Sequence, residues 1–182
     1  MAVISTSSSF VFCLLAAAVL LAATPSPATA APWDEKETHI RVYWHDQVTG
    51  NATVVTVAEA ATTNTSSTRF GAVQVIDDAL TLEPNKTVIG RAEGIYVSSN
   101  KETTSVTMAM NFVFMDGPFN GSSIAIFGQN RIELKVREMS VIGGSGVFRL
   151  ARGYVQLRSY WLSPSTGDAI IQYDIFVRHY DH

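Results

Sequence analysis

Past residue 30, no stretch of the chain sustains a helical period; its apolar residues recur at every second position. Ile40, Val42 and Trp44 alternate with Arg41, Tyr43 and His45. Val106, Met108, Met110, Phe112 and Phe114 alternate with Thr107, Ala109, Asn111 and Val113. Ile171, Tyr173, Ile175 and Val177 alternate with Gln172, Asp174, Phe176 and Arg178. A strand sends successive side chains to opposite faces, so this pattern predicts β-structure with one apolar face. Further strands are expected over 53–59, 71–77, 88–97, 123–128, 131–141 and 147–160. Asp116-Gly117-Pro118, Asn120-Gly121, Gly143-Gly144-Ser145-Gly146 and the run from Ser163 to Gly167 supply the breaks. Short strands at regular spacing predict a sandwich or a barrel, and a barrel removes exposed edges while leaving an interior for one small ligand. Several strands are apolar on both faces, which favours a homo-oligomer, or loops of the chain itself, covering the outer wall.

The first 30 residues have another character. The apolar stretch from Phe10 to Ala23 is short for a membrane span, and Ala28-Thr29-Ala30 is a small-x-small pattern. Residues 1–30 therefore read as a secretory signal peptide, cleaved after Ala30, leaving a single domain over 31–182. The lone cysteine, Cys13, departs with it. The mature domain must then rely on its core instead of disulfides, and thiol chemistry is excluded. Thirteen Lys and Arg against sixteen Asp and Glu give a net charge of −3, with no basic run, so neither nucleic acid nor a membrane is an expected partner. Four sequons, at Asn51, Asn64, Asn85 and Asn120, each sit beside turn-forming residues and predict glycan-bearing loops.

Ordered blocks of sequence carry a resemblance over nearly all of 38–182. They are Trp44-His45-Asp46 with Gly50, the run Phe70 to Thr81, Gly90 to Tyr96, and Asn111 to Phe114 with Asn120-Gly121-Ser122-Ser123. Arg137-Glu138-Met139, Gly143 to Arg149, Ala151 to Tyr154, and Tyr173-Asp174 with His179-Tyr180 complete the set. In these blocks the chain resembles the plant dirigent family. The resemblance implies an all-β fold of eight antiparallel strands closed into a barrel, of the allene-oxide-cyclase-like, calycin type. It implies trimers, with dimers as the alternative, and secretion to the apoplast. It also implies stereoselective coupling of phenoxy radicals from monolignols such as coniferyl alcohol, made by a separate laccase or peroxidase. Other members of the family act instead on quinone-methide-like intermediates.

Asp46 ends the first alternating strand and matches a family pocket acid. An apolar barrel raises a carboxyl's pKa, so Asp46 is the candidate proton donor to a quinone-methide oxygen. The other reading is an acid capping the turn before Gly50. Arg152 falls in the series Phe148, Leu150, Arg152, Tyr154 and is expected to share their face, where it would hold Asp46 or a phenolate; otherwise it is an outward ion-pair residue. Tyr96 matches a family pocket position and offers a phenol and a ring. Phe176 is a weaker candidate for the lining. Asp77 and Asp78 are adjacent, face opposite ways and cannot form a proton-sharing dyad; they are expected to shape a turn into Ala79-Leu80-Thr81. His39, His45, His179 and His182 lack ligand spacing, so no metal and no organic cofactor is expected.

Two positions depart from family members that form lignans with strict handedness. Ser145-Gly146-Val147 lacks their acid, and Ser98 stands where they have a second pocket tyrosine. These departures weigh against efficient pinoresinol-type coupling and favour another phenolic or terpenoid substrate, or a role in lignin deposition. The functions left open are an oxidant-dependent scaffold, an acid-using cyclase or dehydratase, and a glycan-binding wall protein. The last would need exposed aromatic platforms, for which Trp33, Trp44 and Trp161 give thin support.

Overall fold

The structure, a computed structural model, describes residues 34–180. The expected signal peptide, with Cys13, and also Trp33 and His182 lie outside the described residues. Nine strands follow in order: β1 (Glu35–Asp46), β2 (Val54–Ala58), β3 (Val73–Thr81), β4 (Val88–Ser98), β5 (Ser105–Phe114), β6 (Ser123–Arg131), β7 (Arg137–Ser145), β8 (Arg152–Leu162) and β9 (Ala169–Tyr180). Every pairing is antiparallel. From β3 to β9 each strand pairs with the next, and β9 pairs with β1. The loop closes because β3 divides one edge between two partners. Its first half pairs with β2, Val54 against Ile76, and its end pairs with β1, Trp44 against Leu80. Eight strands, β1 and β3–β9, therefore form the closed barrel, and β2 lies on it as a ninth. Closure leaves little open edge among the eight, although β1 from Glu35 to Val42 is paired, among the described residues, by β9 alone.

The alternation sets the two faces. Val42, Trp44, Met108, Met110, Phe112, Tyr173, Ile175 and Val177 are buried, and their strand neighbours face outward. One end of the barrel is plugged by rings. Phe148 lies 5.8 Å from Phe114, 5.0 Å from Phe119 and 5.2 Å from His179, centroid to centroid. Phe112 meets Tyr173 edge-on at 5.0 Å nearer the middle. Each large side chain taken out of water contributes roughly 1.5–3 kcal/mol, so this core can hold the domain without disulfides. Gly94 is fixed by the wall's tightness, because a Cβ there would lie 2.3 Å from the carbonyl oxygen of Ala109.

Three local expectations are corrected. Asp77 and Asp78 do not turn the chain; they lie inside β3, which continues to Thr81. Gly143, Gly144 and Ser145 belong to β7, and the break comes at a 3-10 turn over Gly146–Phe148. Leu150 then adopts a left-handed backbone, φ 59°, so the strand parity assumed from Phe148 to Arg152 is lost and β8 starts afresh at Arg152.

Candidate functional site

At the end opposite the aromatic plug the barrel opens into a cavity of about 390 Å³. Its walls include Trp44, Tyr96, Met108, Val106, Ile132 and Ile171; Asp46, Ser98, Asn130, Arg137 and Ser159 are among its polar groups, and Arg69 and Gln74 also line it. An apolar chamber with a few placed polar groups is the usual form of a small-ligand site.

Asp46 reaches this cavity as the last residue of β1, in register with Ala169 of β9. Its Oδ1 is buried without a hydrogen-bond partner. Burial, then the negative charges of Asp78 and Asp168, raise its pKa to about 7. Asp78 comes from β3 and is fully buried. It accepts a hydrogen bond from Trp44 Nε1 at 2.6 Å and another from the Thr53 hydroxyl. Burial lifts its pKa to about 6, and those two hydrogen bonds hold it from going higher. Two carboxyls in unlike surroundings thus take unlike roles: Asp78, whose charged form accepts two hydrogen bonds, is the better-stabilised anion, and Asp46 the group poised to carry a proton near neutrality.

Tyr96 is buried in β4 and lines the same cavity. Burial and the two carboxylates push its hydroxyl's acidity well below normal, so it stays a donor. Arg137, at the start of β7, is buried and points into the cavity. It donates to Asn130 Oδ1 at 3.2 Å and to Ser159 Oγ at 3.0 Å, while its Nε has no partner. Near the mouth, Asp168 accepts hydrogen bonds from the Val48 and Thr49 amides and from both threonine hydroxyls, Thr49 and Thr166. These bonds hold its pKa down to about 2 and tie the β8–β9 turn to the loop after β1.

Of the residues expected at the site, the structure brings Asp46 and Tyr96 together and leaves Arg152 and Phe176 outside. The inward placement of Arg152 is corrected: its side chain is 53% exposed, pairs with Glu35 and donates to the Tyr180 hydroxyl at 3.2 Å. Phe176 stacks between His39 and Tyr154 on the outer wall, at 4.5 and 4.9 Å, so its place in the lining is corrected too. The two share an outer groove with Glu37, Tyr154 and Arg178. Arg137, Asn130 and Asp78 were missed. Arg137 had a signal, since it shares a period-two face with Met139 and Val141, both buried. Asn51, Asn64, Asn85 and Asn120 are all exposed and lie outside the strands.

A family model described as Dirigent-like protein matches residues 37–178. Dirigent protein 7 of Arabidopsis thaliana is 49% identical over 148 residues, 80% of this chain and 78% of that protein. Pterocarpan synthase 1 of Glycyrrhiza echinata is 44% identical over 159 residues, 85% of each. The solved structure of a pterocarpan synthase dirigent protein superposes with a TM-score of 0.79 at 44% identity, covering 86% of this chain and 98% of the other.

Proposed function

The chain belongs to the dirigent family, and from that premise we propose that its cavity binds a phenolic ligand to which Asp46 delivers a proton. The observation that carries this reading is the Asp46 carboxyl, with an unpartnered oxygen at the cavity and a pKa of about 7. An acid near the working pH is protonated often enough to donate and acidic enough to do so. Protonating a quinone-methide oxygen makes the conjugated carbon more electrophilic; a hydroxyl of the same ligand can then add to that carbon and close a ring, its proton returning to the Asp46 carboxylate, so that Asp46 is regenerated. Tyr96 is placed to donate to the same ligand. No oxidant enters this chemistry. Its support outside the cavity is the 44% identity to a relative named pterocarpan synthase.

A second reading is favoured by the apolar walls, Trp44, Met108 and Ile171. They suit the steering of phenoxy radicals from a monolignol such as coniferyl alcohol, supplied by a separate laccase or peroxidase. Radical coupling is fast, and a bias of about 1.4 kcal/mol between two orientations already gives tenfold selectivity. Chiral product analysis with and without a one-electron oxidant separates the two. Product bias that needs the oxidant supports steering. Conversion of a quinone-methide-forming phenol without it supports the acid.

The protein acts, on this proposal, as a secreted glycoprotein of the apoplast, with glycans on its exposed sequons. It works as a homo-oligomer, a trimer in preference to a dimer. An outer belt supports that assembly: Val55, Val75, Ile95, Ala109 and Phe127 stand directly opposite one another across β2 to β6. Val55, Val75, Ile95 and Phe127 in it are exposed. N-terminal sequencing and intact mass of the apoplastic protein test secretion and glycosylation.

A further inference from the structure

Oδ1 of Asp46 is buried without a partner, so the backbone on either side of the residue sets where its carboxyl stands. On one side is β1, whose ladder with β9 ends at the pair Asp46 and Ala169. On the other side is loop 47–53, and there a side chain makes the tie. The Asp168 carboxylate accepts the Val48 amide at 2.8 Å, the Thr49 amide at 3.0 Å and the Thr49 hydroxyl at 2.7 Å. It takes a fourth hydrogen bond, at 2.8 Å, from the Thr166 hydroxyl of its own turn. That turn is closed by two backbone bonds of 2.9 Å, Ser163 N to the Asp168 carbonyl and Gly167 N to the Ser163 carbonyl. Loop and turn meet at the rim of the mouth. A Cβ on Gly167 would lie 3.8 Å from Val48 Cγ2, and both residues line the cavity. Asp168 thus continues the join between β1 and β9 one step beyond the acid in the register, where the backbone ladder has ended. Its hydrogen bonds hold it ionised, so it also presents a fixed negative charge to Asp46. The other titratable groups that act on Asp46 or are acted on by it are Asp78 from β3, Tyr96 from β4 and Tyr173 from β9; Arg69 and Arg137 stand on the cavity wall.

We propose that Asp168 is the positioning residue for Asp46: it clamps the loop that follows the acid to the turn that faces it, and so fixes both the acid and the rim of the cavity. This rests on the reading of Asp46 as the proton donor and extends it to a residue that acts through another. The clamp has two consequences. A reacting group displaced by about 1 Å can cost on the order of 10²-fold in rate, so the loop must be held for the acid to be effective. A permanent negative neighbour disfavours the ionised form of Asp46 and keeps it a donor to higher pH. An isosteric amide separates the two, because asparagine keeps an acceptor for the Val48 and Thr49 amides and loses the charge.

Three measurements on Asp168→Ala and Asp168→Asn test this, two of them without any turnover. Hydrogen exchange reads the clamp. The Val48 and Thr49 amides are expected to exchange about 10- to 100-fold faster in Asp168→Ala, the scale of hydrogen bonds to a charged group, and to stay largely protected in Asp168→Asn. A carbon NMR titration of the Asp46 carboxyl reads the charge. In Asp168→Asn that carboxyl is expected to ionise at lower pH than in the native protein, because a like charge has been removed. The rate profile with a quinone-methide-forming phenol reads the consequence. Asp168→Ala is expected to lose roughly 10-fold or more at every pH. Asp168→Asn is expected to keep most of the rate in acid, with the fall on the alkaline side moved to lower pH. Only the rate profile depends on Asp46 being the donor, so a failure of that reading leaves the exchange and titration results standing. Native exchange at Val48 and Thr49 in Asp168→Ala overturns the inference, as does an Asp46 titration unmoved in Asp168→Asn. An Asp168→Ala chain that fails to fold overturns it as well, by making the contact a tie for the whole barrel.

Discussion

Replacing Asp46 by asparagine is expected to stabilise the fold at mildly alkaline pH and to leave it unchanged in acid. The sign follows from proton uptake. The folded Asp46 has a pKa of about 7 against 3.8 for the free side chain. Between those values the folded chain holds a proton that the unfolded chain has released, so stability falls as pH rises through this window. Above about pH 7 the whole cost is present, because the folded protein must then carry a charge that burial and two acidic neighbours disfavour. The shift corresponds to about 4 kcal/mol, and water at the open mouth reduces this to about 2–4 kcal/mol. Asparagine has the same shape, no charge and no need of the partner that Oδ1 lacks. For a domain of this size the gain amounts to about 5–10 °C in Tm at about pH 8, shrinking to nothing at about pH 4. Asp78, with its pKa raised to about 6, contributes a loss of the same sign, and His45, lowered by burial, one of the opposite sign. Both groups are common to the two proteins, so the difference between their melting curves reports Asp46 together with its charge coupling to Asp78. Differential scanning calorimetry over that range is the assay. A pH-independent difference, or an asparagine variant less stable than the native protein in alkali, would refute the reasoning and show that Asp46 is ionised and paired.

Three other outcomes follow from particular contacts. Trp44→Phe removes the Nε1–H that Asp78 accepts, and is expected to cost about 1–3 kcal/mol by urea unfolding at about pH 8 but less at about pH 4.5, where Asp78 is protonated. Arg152→Ala breaks an exposed ion pair with Glu35, so unfolding should change by less than about 1 kcal/mol and ligand binding in the cavity not at all. Phe127→Asp places a charge in the outer belt; if the proposed homo-oligomer forms through that belt, light scattering should find a folded monomer for the variant and an oligomer for the native protein.

The barrel was legible because its rule is local. Alternation in β1, β5 and β9 fixes which side chains face inward, and the closed sheet follows from pairing such strands. Asp46 and Tyr96 were legible only with the family match beside the pattern, since a strand-end acid also suits a turn. Arg152 was misread because parity does not survive a left-handed residue, and the sequence around Leu150 does not announce one. Asp78 was misread because its partners, Trp44 and Thr53, are remote in sequence and meet it only where β1 and the start of β2 close on β3. Asn130 is a neutral residue near a strand end, and nothing marks it until Arg137 is seen beside it. What the sequence conceals is thus cross-strand neighbourhood, while what it displays is the face on which each residue stands.

The account turns on Asp46 as a proton donor to a phenolic ligand inside the barrel. The most direct measurement is the rate and chirality of product formed from a quinone-methide-forming phenol, without oxidant, by the native protein and by Asp46→Asn at matched folded fraction. The account predicts that the variant loses roughly 10²-fold or more in rate or product bias, the usual scale for a positioned acid. An Asp46→Asn protein with native melting in acid and undiminished product bias would contradict it, leaving Asp46 a strand-end residue and the barrel a steric guide.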